Sequence, residues 1–448
     1  MLSVVRACRQ SMTHLVAHLG GTLSKTRWWL LFILIIAAPF HAFLITWLKD
    51  AVPETGLITA ISAWREIFVV LISIIVALEI LLYYKLRLDW LDWLIIAYAL
   101  LGMVFFFFQE NKMQWLWGMR FNIMPFLFYV FVRHVHWEKR GRLIIAALIS
   151  GAVVVILGLL HALVLPQNFL TNFGYSTYQG QFQPDIALSA CQYLEHTERF
   201  CRAISTFGGP TRYGTYLLLL AGLLLPFLVH KTRGLVAATV LFALTLVSIV
   251  LTYSRSIWIG TGVAALVGFF AFIPRKVKWK IFLAGIVLFL LGIFGWKLLG
   301  IWDGKPHEFP PPILKTIFVR ESSTNEHWLL MKDAWETSLE KPLGIGLGAT
   351  GPASVRFSKF LTENWYLQIS VEMGIVGGLL FVFFLIGLLR KLFLAHRNWS
   401  RRGLFLSLLA ISVAGLFTHS FEEITTILLL MAFAGIFLSP PQSGKRHA

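Results

Sequence analysis

Residues 320–378 read RESSTNEHWLLMKDAWETSLEKPLGIGLGATGPASVRFSKFLTENWYLQISVEMGIVGG. The stretch starts polar and turns through Gly344, Gly346 and Gly348. From Trp365 it becomes an apolar helix suited to a bilayer. Glu363 and Asn364 stand at the head of that helix, so a water-reachable loop delivers a carboxylate and an amide to a membrane face. Within the loop, Ser323 to Glu326 has the form of a capping box, and Trp328, Met331, Trp335 and Leu339 fall on one face of the helix it starts. Pro342 ends that helix. A helix of this kind rests on the headgroups with its tryptophans, or closes as a lid over a lipid-borne substrate.

Outward from this stretch the chain is oily. Of its 448 residues 57% are hydrophobic and 14% charged. In hydrocarbon every backbone polar group needs an internal partner, so only helices or closed barrels cross. Continuous apolar runs, rather than alternating ones, select helices. The expected fold is an all-α integral membrane protein of about 12 spans, near 28–48, 65–84, 90–108, 117–134, 142–165, 213–230, 235–253, 257–273, 281–299, 365–389, 404–420 and 424–438. The domain plan is a cytoplasmic leader at 1–27, helices 1–5 over 28–165, an extracytoplasmic loop at 166–212 and helices 6–9 over 213–299. A large extracytoplasmic loop at 300–364, helices 10–12 over 365–438 and a cytoplasmic tail at 439–448 complete it. The leader has no clean signal-peptide form, because its first apolar stretch is short and interrupted by His14, His18 and two glycines.

The net charge of +17 suggests nucleic acid in a soluble protein. Here the basic residues gather in alternate short loops, such as Lys85 and Arg87, Arg133 to Arg142, and Arg390 to Arg402. That is the positive-inside pattern; it sets both termini in the cytoplasm and predicts lipid rather than nucleic acid as the partner.

Against that pattern, an arginine on the outer side calls for an account. Arg255 lies in the tight outer turn Thr252-Tyr253-Ser254-Arg255-Ser256. It snorkels to the interface, or it clamps an anion, since guanidinium matches phosphate oxygens with two parallel hydrogen bonds. Arg202 and Arg212 flank the turn Gly208-Gly209-Pro210 and offer a second clamp or plain loop solvation. Arg120, near the start of the fourth span, is a further candidate, and Arg320 reads as a solvated loop charge.

Glu363, partly desolvated at a helix head, suits a general base or simply complements the helix dipole. Asn364 caps the helix or orients a substrate. Glu372, deeper in the same span, is expected to be buried and paired with an arginine. His419, Glu422 and Glu423 form a second acid/base cluster in the last outer loop, and His327 on the loop helix reads as solvated. Cys191 and Cys201 share the first long loop and predict a disulfide in an oxidising compartment; with His196 between them a metal site would still lack a fourth ligand. Neither a Walker loop, a Rossmann glycine pattern, Gly-x-Ser-x-Gly nor His-Glu-x-x-His occurs, so nucleotide-driven transport and the common hydrolase mechanisms have no support.

The chain resembles the bacterial O-antigen ligase and O-antigen polymerase superfamily. The resemblance rests on Gly118-Met-Arg120 with Pro125, Arg202 through Gly214, Ser254-Arg255-Ser256, and Pro342 to Gly348 followed by Glu363 through Gly377. It implies a GT-C-like, metal-independent membrane glycosyltransferase with no cofactor and a large outer loop between helices 9 and 10. Its donor is then a glycan on undecaprenyl diphosphate at the outer face of the cytoplasmic membrane. The acceptor is another lipid-linked repeat unit, lipid A-core or a protein hydroxyl. By the resemblance, Arg255 and one of Arg202 and Arg212 hold the diphosphate. Ligases usually carry His-Asn where this chain has Glu363-Asn364, and this departure favours a polymerase or exopolysaccharide relative. A solute or lipid transporter is the rival from another class, but the inverted repeats and matching broken helices it tends to show are not evident.

Overall fold

The computed structural model describes residues 2–52, 60–84, 86–177, 188–194, 197–229, 234–272, 321–354, 357, 360–394 and 398–439. The span expected at 281–299, the loop residues 300–320 with the proline run and Arg320, His196, and the tail at 440–448 lie outside them.

In chain order the elements are α1 (Leu2–Ala37), a 3-10 turn leading into α2 (His41–Ala51), α3 (Trp64–Tyr83), α4 (Trp90–Phe108), α5 (Lys112–Gly118), α6 (Met124–Arg133) and α7 (Arg140–Leu163). The antiparallel strands β1 (Tyr193–Leu194) and β2 (Thr197–Cys201) follow, then α8 (Pro210–Val229), α9 (Leu235–Leu251) and α10 (Arg255–Phe272). The last elements are α11 (Glu321–Glu340), α12 (Trp365–Phe393), α13 (Trp399–Ala414) and α14 (Ile424–Leu438).

Among the described residues eight helices are long and apolar enough to cross a membrane, and α9 and α14 are shorter apolar helices. The residues expected as a separate leader are helical and run unbroken into the first span. The fourth span is composite: α5 passes through a π-turn, Met119–Ile123, into α6, whose Pro125 has no N–H to donate. The span expected at 404–420 ends at Ala414, and residues 415–423 form a turn that enters the site described below. Helices α8 and α13 approach closely through Gly222 and Gly403, and Ser407 donates to the Leu218 carbonyl at 2.9 Å. α14 is almost wholly buried, from Ile424 to Phe437.

The helix that opens on Glu363 is broken. Gly374 has φ 75° and ψ 173°, a conformation essentially restricted to glycine. The turn after Pro342 fills the break. Ile345 and Gly346 donate to the carbonyls of Val371 and Glu372 at 2.9 and 3.0 Å, and Ile375 donates to the Pro342 carbonyl at 3.0 Å. Backbone freed at membrane depth is thus satisfied by protein rather than exposed to lipid.

α11 begins at or before Glu321, so Ser323 lies inside the helix rather than at its cap. Trp328, Trp335 and Leu339 are exposed, while Ala334 and Ser338 on the other side are buried. Met331, expected on the tryptophan face, is half-buried and turns towards the cavity below.

Candidate active site

Five helices, α3, α8, α10, α12 and α14, begin around one cavity of about 1140 Å³. A helix N-terminus presents unpaired N–H groups and a partial positive charge. Three of these helices add an arginine in their first turn: Arg65, Arg212 and Arg255. Arg202, just after β2, is the fourth guanidinium in the wall. The basic residues expected on the cytoplasmic side sit at the opposite ends of the bundle. Arg133 ends α6, Arg390 and Lys391 lie in the last turn of α12, and Arg401 begins α13. There Asp89 pairs with Arg133 and Lys391, and those two cations hold its carboxyl well below the usual range against the opposing effect of burial.

Arg65 is 4% exposed. Its Nη1 donates to the Thr425 hydroxyl at 2.6 Å, Nη2 lies 3.7 Å from Glu66, and its Nε has no protein partner among the described residues. Arg202 donates from Nε to the Thr252 carbonyl at 2.9 Å and from Nη2 to that of Tyr253 at 3.4 Å. The same turn receives the Ala203 amide on the Leu251 carbonyl at 2.9 Å. Arg202 therefore grips the turn that aims Arg255. Tyr253 in that turn has φ 48°, as has Glu363 across the cavity. Left-handed backbone costs a non-glycine residue roughly 1–2 kcal/mol, so the surrounding contacts impose both conformations. Cys191 and Cys201 are joined in a disulfide directly before Arg202, whose amide donates to the Gln192 carbonyl at 3.0 Å.

The opposite wall carries the acid/base groups. Glu363 lies 3.3 Å from His327 Nδ1 and 3.9 Å from His419 Nε2. Burial pushes the Glu363 carboxyl up, but the His327 hydrogen bond and the two neighbouring imidazoles outweigh it and hold the group below its ordinary value. Burial lowers His419, Glu363 opposing and His327 and Arg212 reinforcing the effect. Gln368 links the cluster: its Oε1 is 2.7 Å from His419 Nδ1, and its Nε2 donates to Glu422 at 3.3 Å. His327, expected in solvent, is half-buried against Glu363.

Residues 240–382 match the family model for O-Antigen ligase. This match supports the resemblance of the chain to the O-antigen ligase and polymerase superfamily. It likewise supports the coarse class of ligase/polymerase-type membrane glycosyltransferases. No curated protein matches the chain.

The matched segment supplies Arg255, Glu363 and Glu372, whereas Arg65, Arg202, Arg212 and His419 come from outside it. Arg255, Arg202 and Arg212 meet in the cavity, together with Glu363, His419, Glu422 and Glu423. Arg120 does not line it. It pairs with Glu66 at 2.7 Å, stacks on Trp117 and lines a neighbouring apolar cavity of about 1050 Å³. Asn364 is spent on architecture: its side chain accepts from Leu367 at 3.0 Å, capping α12, and donates to the Leu416 carbonyl at 2.9 Å. Glu423 similarly caps α14 through Thr426 at 2.6 Å.

Glu372 is fully buried and, among the interactions described, has no arginine partner. It accepts from the amides of Gly348 and Thr350 at 2.9 and 3.0 Å, from the Thr350 hydroxyl at 3.0 Å and from Asn122 at 2.5 Å. The expected ion pair is replaced by four donors that tie the glycine turn to the broken helix. Among the described residues no group of three or more His, Cys, Asp or Glu side chains is arranged to hold a metal.

Arg65 and His41 were not singled out from the sequence. The signal for Arg65 was present, since it opens the second span on the same side as Arg255. His41 gave none, as a lone histidine in an apolar run.

Proposed function

We propose that this protein transfers a glycan from undecaprenyl diphosphate to an acceptor hydroxyl at the outer face of the bacterial cytoplasmic membrane, with both termini in the cytoplasm. The observation that carries the proposal is the cavity itself: four arginines face an acid/base cluster, and an apolar cavity adjoins them. The two cavities share His41, Ile45, Trp117 and Phe121 in their walls. In this reading the diphosphate lies among Arg65, Arg202, Arg212 and Arg255, and the polyprenyl chain leaves through the apolar neighbour beside Val70, Ile74 and Phe131.

The acceptor oxygen attacks the anomeric carbon while the bond from that carbon to the diphosphate oxygen breaks. The bonding pair leaves with the diphosphate, whose negative charge grows in the transition state and is met by preorganised guanidinium groups. Glu363 takes the hydroxyl proton. Neither a cofactor nor a metal enters this scheme. α11 borders the cavity with His327 and Met331 in its wall and its tryptophans exposed, which suits a lid.

The carboxylate at position 363, where ligases usually have histidine, favours polymerisation, with a second lipid-linked repeat unit as acceptor. Transfer to lipid A-core or to protein is the alternative outcome. Glu363→Gln tests the proposal: turnover of a lipid-linked repeat unit is lost while expression and folding persist. Full activity in that variant would sink the assignment of the base.

A further inference from the structure

Within the transfer reading above, on which it rests, we infer that His419 is the group that receives the acceptor's proton from Glu363, its ring locked in one tautomer by Gln368. The lock is read from hydrogen-bond directions. Glu422 is a carboxylate and accepts, so the Gln368 nitrogen faces it, at 3.3 Å. That fixes the amide, and its oxygen therefore faces His419 Nδ1, at 2.7 Å. A carbonyl oxygen accepts only, so Nδ1 carries the hydrogen. A neutral ring then has a bare Nε2.

That Nε2 is buried without a hydrogen-bond partner among the described residues and lies 3.9 Å from Glu363. A basic lone pair thus lies near the carboxylate, both groups lining the same cavity. The charged or titratable groups facing His419 are Glu363 before α12, His327 from α11, Arg212 from α8 and, through Gln368, Glu422 of its own turn. The two carboxylates are placed to stabilise an imidazolium once it forms.

The step balances. The acceptor O–H bond breaks, Glu363 takes the proton and passes it to Nε2, and the carboxylate is restored beside an imidazolium. Nε2 and the carboxylate need to close by about 1 Å to reach hydrogen-bond distance, a tightening common when a substrate completes a site. The ring later loses its proton to water. The second acceptor, 3.9 Å from the carboxylate, gives the proton a place to go so that the carboxylate is restored for the next acceptor.

The test has two arms, both on the full chain in lipid bilayers. In the first, 15N-histidine spectra are compared between wild type and His419→Gln to assign the His419 nitrogens. The expected result at pH 7 is a neutral ring protonated at Nδ1, which becomes a mixture of tautomers in Gln368→Leu. A ring protonated at Nε2, or cationic, overturns the inference. In the second, His419→Gln lowers kcat by about 10²–10³-fold with KM for the lipid-diphosphate donor unchanged, within the range of one general acid–base contribution. Wild-type kcat in that variant also overturns it. The expected tautomer in a protein that transfers no glycan from any lipid-diphosphate donor would instead sink the transfer reading.

Discussion

Replacing Glu372 separates architecture from chemistry in the polar core of this protein. Four donors converge on its carboxylate: two backbone amides, one hydroxyl and the Asn122 amide. In Glu372→Gln one oxygen becomes an NH2 group. On the Oε1 side the Thr350 hydroxyl can rotate to accept from it, but the Thr350 amide cannot. On the Oε2 side Asn122 can turn its amide, whose own oxygen has no hydrogen-bond partner among the described residues, but the Gly348 amide cannot adapt. Either orientation strands one buried N–H, a loss of about 1–3 kcal/mol. Glu372→Leu strands both backbone amides and the Asn122 nitrogen, a loss of roughly 3–6 kcal/mol once neighbours relax. Thermal unfolding of the purified protein in detergent should therefore show a midpoint lowered by Glu372→Gln and lowered at least about twice as far by Glu372→Leu. At temperatures where the Gln variant is folded, its donor KM and pH profile should be those of wild type. Unchanged midpoints with lost turnover would refute the architectural reading and return Glu372 to the reaction.

Other perturbations have equally direct readouts. Arg65→Ala and Arg255→Ala should each lower turnover by about 10²-fold or more, on the scale of removing one preorganised donor to a developing charge, whereas Arg120→Ala should alter it less than tenfold; steady-state transfer rates decide. Cys191→Ser should release the short loop before Arg202, destabilising the protein by about 2–3 kcal/mol and lowering turnover, and dithiothreitol should reproduce the effect on the wild type in an activity assay. His419 is held below its ordinary range by burial, so the unfolded chain binds its proton near pH 6.5 and the folded chain only at lower pH. Its contribution to stability is thus complete above about pH 6.5 and falls as pH drops below that value. Glu363, held below its own ordinary value, loses its contribution only at still lower pH. The midpoint should fall between about pH 7.5 and 5.5 in wild type and fall less in His419→Gln.

Much of this was legible because membrane constraints act locally. Apolar length marks the spans, and loop charge separates the two ends of the bundle, so Arg255, Arg202, Arg212, Glu363 and His419 could be referred to one side before any packing was known. Helix packing was not legible. It brings Arg65 to Thr425, 360 residues away along the chain, and Gln368 between His419 and Glu422. The same packing sets Glu66, an acid no motif marked, between Arg120 and Arg65, at 2.7 and 3.7 Å, and turns Arg120 to the neighbouring cavity. Asn364 and Glu372 illustrate another limit. Residue type and depth announced polar groups at a helix head and in a span, but only the direction of their hydrogen bonds shows that one caps α12 and the other ties the glycine turn to its break.

The central claim is transfer from a lipid diphosphate, and reconstitution tests it most directly. The purified protein is placed in liposomes with an undecaprenyl-diphosphate-linked repeat unit, with and without lipid A-core. A lengthening glycan ladder without lipid A-core is the predicted result, and product formed only with lipid A-core would make the protein a ligase despite Glu363. If no glycan is transferred from any matched donor while a solute or lipid crosses the bilayer, glycosyl transfer is contradicted and transport takes its place.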